Sequence, residues 1–386
     1  MVADKVGIIT QYYKSHNYGG LLQAYALTNV IKKLGYNVEQ IAYDGRNDNC
    51  KSALCDKVLQ EQKDNIKSRV KALGRWMLDF SINGRLNKRF STMERFGNSI
   101  PHSEMVYTQE ILRKLLDEYR CFVVGSDQVW NPQFYAPVYF CDFAKGTDAK
   151  CISYAASVSQ KALTNRQKEI YKEHMKNFSA VSLRESNTEI IQELTKTKVE
   201  WVLDPTLLLN REDWDVISSE KLLQEAYVFC YFLGNDLVER RLAEKFAKSQ
   251  NCKLVTIPHL SGNYEKSDLG FGDEKMIAAS PEDFISLIKY ADYVFTDSFH
   301  ATVFSHIYEK QFFVFQRAGM KGMSTRIDTL LSLFENTNRF CDTQQKQTME
   351  YLLSCSDVNY EKEKNKFQCK KEESLNFIRC ALGNED

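Results

Sequence analysis

One stretch decides the fold class of this chain, and it reads Tyr293-Val294-Phe295-Thr296-Asp297-Ser298-Phe299-His300-Ala301-Thr302. Its first three residues form an apolar run typical of a buried strand, and a helical pattern begins after Ser298. A second apolar run follows at residues 311–315, as expected for a parallel strand that is covered on both faces. A strand, a helix and a strand in this order predict an α/β fold with a parallel sheet.

An acid, a hydroxyl and an imidazole (Asp297, Ser298 and His300) lie where this strand ends and the helix begins. Unpaired backbone N–H groups and the positive end of the helix dipole gather at such a point and favour an anion. In open α/β sheets, ligands also bind outside the carboxyl ends of the strands. The stretch therefore predicts an anion-binding site.

The same alternation of strand and helix runs outward through the chain. A first unit has strands at residues 5–10 and 37–43 around a helix at 20–34, and residues 51–119 are predicted to be mainly helical. Further strands are predicted at residues 120–124, 151–154, 180–183, 199–203, 227–233 and 253–257. This pattern predicts two doubly wound, Rossmann-like domains that face a cleft.

The boundary between the domains is predicted near residues 205–225. The N-terminal domain is assigned to residues 1–210, with the helical insertion at about 51–119. The C-terminal domain is assigned to residues 211–342, and a charged helical tail to residues 343–386. A length of 386 residues is typical of two or three domains.

Composition excludes several classes of protein. The 51 basic and 51 acidic residues cancel, which argues against a nucleic-acid partner. The first residues are typical of a strand rather than a signal peptide, and no apolar stretch is long enough to span a membrane. The 11 scattered cysteines predict reduced thiols, so a cytoplasmic location is expected.

Small or polar residues follow several other predicted strands. They are Asn17, Gly19 and Gly20 after the first strand, Ser126 and Asp127 after the strand at 120–124, Arg184 after the strand at 180–183, and Arg317, Lys321 and Arg326 after the strand at 311–315. Each is also explained as a turn, a cap or a solvated surface residue. The chain has no dinucleotide-binding GxGxxG fingerprint, no P-loop lysine and no recognisable metal-binding motif.

Residues 67–96 are basic, with apolar residues interleaved among the charges. An amphipathic helix packed on the sheet is the favoured interpretation. Peripheral contact with an anionic membrane surface, or with a lipid diphosphate, is the alternative.

These segments together resemble the polysaccharide pyruvyl transferase family. The matching pieces are Gly7–Thr10, Asn17–Gly20, Leu22–Leu27, Gly125–Asn131, Ser182–Glu185, Asp204–Thr206 and Thr296–Ala301, in order from residue 6 to about 335. The resemblance implies a fold like that of the two-domain GT-B glycosyltransferases. It also implies that pyruvate is transferred from phosphoenolpyruvate to a sugar, as a ketal that bridges two hydroxyls.

With that chemistry, His300 and Asp127 are the predicted catalytic residues. Donor binding is predicted for Arg184, Ser298, His300, Lys321 and Arg326, and acceptor binding for Asn17, Gly19, Gly20, Ser126 and Asp127. We expect no metal and no cofactor, with phosphoenolpyruvate as the co-substrate. Substituting alanine for His300 or Arg184 is expected to abolish the transfer and leave the fold intact.

The acceptor is not defined by the motifs, so capsule, exopolysaccharide and lipid-linked precursors all stay open. Two alternatives for the function stay open as well. One is a GT-B glycosyltransferase that uses a nucleotide sugar, and the other is a sugar-binding protein of the same fold without catalytic activity. Titration with phosphoenolpyruvate against nucleotide sugars would distinguish them.

Overall fold

A computed structural model describes residues 5–45, 84–259, 266–317, 325–342, 348–362 and 364–383. Two groups of parallel strands account for the architecture. The first comprises β1 (Lys5–Ile9), β2 (Asn37–Gln40), β3 (Cys121–Val124), β4 (Lys150–Ser153), β5 (Val181–Leu183) and β6 (Val199–Trp201). Strands β1 to β4 form a sheet in the order β2-β1-β3-β4, and single parallel bridges connect β4 and its extension to the β5–β6 pair.

The second sheet is also entirely parallel, in the order β12-β11-β10-β7-β8-β9. Its strands are β7 (Tyr227–Tyr231), β8 (Lys253–Thr256), β9 (Glu274–Lys275), β10 (Tyr293–Thr296), β11 (Gln311–Phe315) and β12 (Phe340–Cys341). The prediction of an α/β fold with two doubly wound halves is confirmed, because strand order reverses beside β1 in one sheet and beside β7 in the other.

Helices alternate with the strands. They are α1 (Tyr18–Lys33), α2 (residues 84–99), α3 (Leu115–Glu118), α4 (Asn165–His174), α5 (Glu189–Gln192), α6 (Arg211–Asp215), α7 (Leu237–Ser249), α8 (Pro281–Lys289), α9 (Phe299–Ile307), α10 (Thr325–Leu333), α11 (Met349–Ser354) and α12 (Lys364–Leu382). Local sequence fixes their starts. In α8, the Ser280 hydroxyl accepts from the Asp283 N–H at 3.1 Å, and the Asp283 carboxylate accepts from the Ser280 N–H at 3.0 Å.

The two halves share one apolar core where α1 meets α8 and α9. Tyr18, the first residue of α1, stacks on Phe284 of α8 at 4.9 Å between ring centroids. Its hydroxyl donates to the Ala279 carbonyl at 2.7 Å. The halves therefore meet at the start of α1.

The C-terminal helix α12 packs back against the first half. The Leu203 N–H donates to the Ser374 hydroxyl at 3.0 Å, and Lys371 Nζ donates to Asn210 Oδ1 at 2.6 Å. Ile378 is buried in the core shared by both halves. Strands of the first group end at Trp201 and those of the second begin at Tyr227. The assignment of a domain boundary at residue 210 stays a prediction.

Within the insertion predicted to be mainly helical, one described stretch is extended. Residues 84–99 are helical, but residues 101–107 run in extended form beside the end of β2. The Gln40 N–H donates to the Pro101 carbonyl, and the Tyr107 N–H to the Ala42 carbonyl, both at 2.8 Å. Proline at position 101 ends the helix, since its ring prevents a continuous ladder. Residues 51–83 of the insertion lie outside the described residues.

Candidate active site

The carboxyl ends of both sheets meet around His300. Ser298 caps helix α9, and its hydroxyl lies 3.5 Å from the Ala301 N–H, so the imidazole of His300 belongs to the first turn. The ring lies directly over Gly19, near the start of α1. A Cβ atom added to Gly19 would lie 2.0 Å from Nδ1 of His300. Only glycine at position 19 therefore leaves room for the imidazole.

A buried carboxylate lies beside the His300 ring. Nε2 of His300 is 3.8 Å from Oδ2 of Asp204, which is too far for a hydrogen bond. Nε2 has no hydrogen-bond partner in the described part of the chain. Burial lowers the pKa of His300, while Asp204 and Asp127 oppose that shift. The free site thus contains a neutral imidazole with an unused ring nitrogen.

Arg184 is held between two carboxylates. Its Nη1 donates to Asp204 at 2.8 Å and its Nη2 to Asp127 at 3.2 Å, and the guanidinium packs 4.4 Å from the centroid of the Phe299 ring. Burial tends to raise the pKa of Asp204, but attraction to a protonated His300 and to Arg184 outweighs it, and the net shift is downward. Donor binding by Arg184 stays a prediction, and the geometry favours a role in fixing Asp204 and Asp127.

Arg326 approaches the same Phe299 ring, with 6.0 Å between the guanidinium and the ring centroid. It is buried, and its Nη1 reaches the Ser159 hydroxyl at 3.4 Å. Nε has no partner among the described residues. Burial and the neighbouring Arg184 lower the pKa of Arg326 to about 10. A buried guanidinium with spare donors suits an anionic ligand.

The remaining predicted donor and acceptor residues are largely engaged in structure. The Ser298 hydroxyl caps α9. The Ser126 hydroxyl donates to the Ala155 carbonyl and contacts Asp204 at 3.2 Å. Asn17 is exposed and caps α1 by accepting from the Gly20 N–H at 3.0 Å. Lys321 lies outside the described residues. Binding roles for these residues stay predictions.

Asp204 is the residue of this cluster that the sequence analysis did not assign to the site. It follows β6, and its Oδ1 accepts from the N–H and hydroxyl of Thr206 at 3.0 Å and 2.6 Å. Its position after a strand was a signal, but the adjacent Pro205 also explains it as a turn residue. Its proximity to His300, which lies in the helix after β10 of the other sheet, depends on how the two halves pack and has no signal in the local sequence.

A cavity of about 260 Å³ opens at the carboxyl end of β1. Aromatic residues Tyr12, Tyr13, Tyr43, Phe134 and Tyr139 contribute to its lining, together with Thr10, Asp44 and others. Thr10 connects the cavity to the cluster, because its hydroxyl donates to the Ser126 carbonyl at 2.9 Å. The Tyr12 hydroxyl is buried without a hydrogen-bond partner in the described chain. Aromatic faces beside polar groups suit a sugar ring.

Helix α2 shows how the described part of the basic segment packs. Met93 and Phe96 enter the apolar core, and Phe90 stacks on His16 at 4.1 Å between centroids. This agrees with an amphipathic helix packed on the protein. Contact with a membrane stays a prediction. Among the described residues no helix has the length and hydropathy of a membrane span.

Solved structures with similar architecture share little sequence with this chain. The UDP-GlcNAc 2-epimerase of Neisseria meningitidis, bound to UDP-GlcNAc, aligns over 99% of this chain and 100% of its own, with 10% identity and a TM-score of 0.50. A putative UDP-N-acetylglucosamine 2-epimerase from Listeria monocytogenes aligns over 100% and 98%, with 11% identity and a TM-score of 0.48.

The glycosyltransferase SnogD from Streptomyces nogalater aligns over 98% of this chain and 99% of its own, with 11% identity and a TM-score of 0.42. Together with the two parallel sheets, the similarity to the Neisseria meningitidis epimerase confirms the predicted Rossmann-like GT-B fold. At 10% identity it indicates the fold alone.

Sequence comparison identifies the family. No curated protein matches the chain with significant similarity. The family model described as polysaccharide pyruvyl transferase matches residues 17–318, a stretch that includes Gly19, Asp127, Arg184, Asp204 and His300. This match covers well over half of the 386 residues and confirms the resemblance drawn from the motifs. The chain belongs to the polysaccharide pyruvyl transferase family.

Proposed function

We propose that this protein transfers the pyruvyl group of phosphoenolpyruvate to two hydroxyls of a sugar residue and forms a ketal. One observation carries the proposal. The unpartnered Nε2 of His300 is buried 3.8 Å from Asp204, where the strand ends of both halves meet. A family whose members act on polysaccharides supplies the chemical context.

The reaction balances without a redox step. The methylene carbon of phosphoenolpyruvate gains a proton, the C=C double bond becomes a single bond, and C2 becomes an oxocarbenium-like centre. One sugar hydroxyl adds to C2 and loses its proton. The bond from C2 to the phosphate oxygen then breaks, and the second hydroxyl closes the ketal. Of the two hydroxyl protons, one ends on the new methyl group and the other on the released phosphate.

His300 is suited to move the proton. Its ring is neutral in the free site because burial lowers its pKa. A bound anion favours the protonated ring, as the nearby Asp204 already does in part. Protonated Nε2 could then donate to the methylene carbon as a general acid. Asp204 stabilises the charged imidazole, and Arg184 holds Asp204 in place at 2.8 Å.

Arg326 and Asp127 complete the proposed roles. Arg326 has a buried Nε without a partner in the described chain, and it would pair with the carboxylate of the donor. Asp127 has a side chain that is 13% exposed, more open than Asp204 at 0%. It would accept the proton of the attacking hydroxyl, and the acceptor would approach from the aromatic cavity beside Thr10.

The test compares two buried histidines of the same helix. We expect His300→Gln to lose at least about a hundredfold in phosphoenolpyruvate-dependent phosphate release, which is the usual scale for a general acid. His306→Gln is the matched control, since His306 stacks on Phe334 at 3.9 Å, on the side of α9 that faces α10. Near-normal release by His300→Gln would overturn the assignment.

The same preparation distinguishes the two alternatives. Isothermal titration of the wild-type protein should give heat with phosphoenolpyruvate and none with UDP-GlcNAc. Binding of the nucleotide sugar alone would favour a glycosyltransferase. Binding of sugar without release of phosphate from phosphoenolpyruvate, under a panel of lipid-linked glycans, would favour a non-catalytic protein.

A further inference from the structure

Four strand ends of the second sheet converge beside the His300 cluster, and Asp297 joins three of them. Its carboxylate accepts from the N–H groups of Leu233 and Gly234, which follow β7, at 2.7 Å each. It also accepts from Nε of Arg317, which follows β11, at 3.0 Å. His259 follows the fourth strand, β8. This is the point where strand order reverses, a usual place for a ligand.

Arg89 reaches this point from helix α2. Its Nη1 donates to the Pro258 carbonyl at 2.8 Å. The guanidinium therefore lies beside the residue that precedes His259 in the chain. The group also packs over the Tyr18 ring at 4.9 Å from the centroid. Arg89 is only 3% exposed, its Nε lacks a partner, and it pairs with no carboxylate of the described chain. Such a buried cation is costly unless an anion joins it.

The neighbouring guanidiniums have carboxylate partners, unlike Arg89. Arg317 pairs with Asp297, and Arg240 pairs with Asp268 at 2.8 Å. Arg240 also lies 3.3 Å from Glu239, whose pKa is raised to about 9 by burial and the nearby Asp297. Arg240 and Arg317 thus each have a carboxylate partner, and Arg89 has none in the described part of the chain.

The His300 cluster has more carboxylates around its guanidiniums. Its two guanidiniums, Arg184 and Arg326, face the carboxylates of Asp127, Asp204 and Glu185. Glu185 accepts from the Ser159 N–H at 3.3 Å, and Ser159 also contacts Arg326. A multiply charged phosphate is therefore better matched by the cluster around Arg89 than by the one around Arg184.

The charges of the neighbouring arginines also affect the pKa of His259. Burial lowers its pKa to about 4, and Arg89, Arg317 and Arg240 add to the effect while Asp297 opposes it. The imidazole is thus neutral in the empty site. A bound anion would offset the three cations and favour the protonated, doubly donating ring.

We propose that Arg89, His259 and Arg317 form the phosphate subsite of the donor, with the phosphate of phosphoenolpyruvate as its ligand. This inference rests on the proposed function and refines it. Asp297, which pairs with Arg317, directly precedes Ser298, the cap of the helix that contains His300, so the two clusters are contiguous. A donor bound in this way directs its phosphate toward the end of β8 and its carboxylate toward Arg326. The methylene carbon then lies toward His300.

The test uses inorganic phosphate as well as the donor. We expect inorganic phosphate to raise the melting temperature of the wild-type protein and of Arg95→Gln, but not that of Arg89→Gln. Arg95 is the matched control, because it lies on the same helix with a side chain that is 69% exposed. The KM for phosphoenolpyruvate should rise roughly tenfold or more in Arg89→Gln, since a charge-assisted hydrogen bond is lost.

Two further variants protect the test against simple misfolding. Arg89→Lys retains the charge without the forked donors, so an intermediate KM is expected. His259→Gln should lose a proton uptake that wild type shows when sulfate binds near pH 6, measured by titration calorimetry in two buffers. Equal phosphate affinity in wild type, Arg89→Gln and Arg89→Lys, or equal proton uptake in wild type and His259→Gln, would overturn the subsite.

The outcomes also separate this inference from the function on which it rests. Phosphate binding that depends on Arg89, without phosphate release from phosphoenolpyruvate under any acceptor, would leave the subsite standing and refute the transfer reaction. Normal transfer with an unchanged KM in Arg89→Gln would refute the subsite and leave the transfer reaction standing.

Discussion

Gly19 and His300 are a matched pair of residues, 281 positions apart in sequence and in direct contact. A methyl group at position 19 would lie 2.0 Å from the imidazole. The ring therefore depends on a glycine of the other half for its position over the start of α1. The contact links the packing of the two halves to the geometry of the proposed acid.

A double-mutant cycle tests this contact. Gly19→Ala should destabilise the wild-type protein by about 1–3 kcal/mol, the usual cost of overpacking. In a His300→Ala background the same change should be neutral or stabilising, because alanine is the better helix former. Urea unfolding of the four proteins measures the coupling. Equal costs in both backgrounds would show that the two residues do not contact each other as described.

The structure changes the expected stability of the Arg184→Ala variant. From sequence alone, Arg184→Ala is expected to leave the fold intact. The structure instead shows its guanidinium between Asp204 and Asp127, with a side chain that is 1% exposed. Removing it leaves two carboxylates in a buried site without their shared partner.

We therefore expect Arg184→Ala to lower the free energy of unfolding by about 3–5 kcal/mol, the range found when one partner of a buried pair is removed. Arg166→Ala, on the exposed face of α4, is the control and should change it little. Chemical denaturation measures both. If Arg184→Ala proves as stable as Arg166→Ala, the buried network contributes nothing to the fold.

At the level of elements, the sequence predicted most strands and long helices because their apolar patterns are strong. Continuous apolar runs coincide with strands β1, β7, β10 and β11, and the Ser280 cap correctly marks the start of α8. Residues 101–107 were missed, since their extended form depends on pairing with the end of β2 rather than on local preference. The site was predictable as strand ends, but not as two neighbouring clusters, one around His300 and one around Arg89.

Helix α12 is expected to contribute to the stability of the fold. Ile378 is 1% exposed and lies in the core that both halves share. Ile378→Ala should lower the free energy of unfolding by about 2–5 kcal/mol, as for other buried aliphatic truncations. Glu372→Ala, at an exposed position of the same helix, is the control. Thermal and urea unfolding measure the difference, and a helix that is only loosely attached would give two equally stable variants.

For the whole molecule, buried neutral histidines make stability depend on pH. Burial lowers the pKa of His306 from 6.5 to about 3, and that of His259 to about 4. The unfolded chain binds these protons more readily, so stability is complete above about pH 6.5 and declines as pH falls toward the folded-state values. Each such histidine contributes about 1.4 kcal/mol per pH unit in that window.

His306→Gln should therefore reduce the steepness of the decline by about 1.4 kcal/mol per pH unit between about pH 6 and pH 4. Urea unfolding at several pH values gives the slope for the wild-type protein and the variant. An unchanged slope would mean that His306 titrates normally in the folded protein.

The activity proposed for the whole molecule is transfer of a pyruvyl group from phosphoenolpyruvate. The most direct measurement incubates the protein with phosphoenolpyruvate carrying ¹³C at C2 and with a pool of lipid-linked glycans, and follows label and phosphate together. We expect the label to appear in the glycan fraction as a ketal carbon, with one phosphate released per ketal, and to be absent with His300→Gln. Label that stays in phosphoenolpyruvate or pyruvate across the whole pool would contradict the claim.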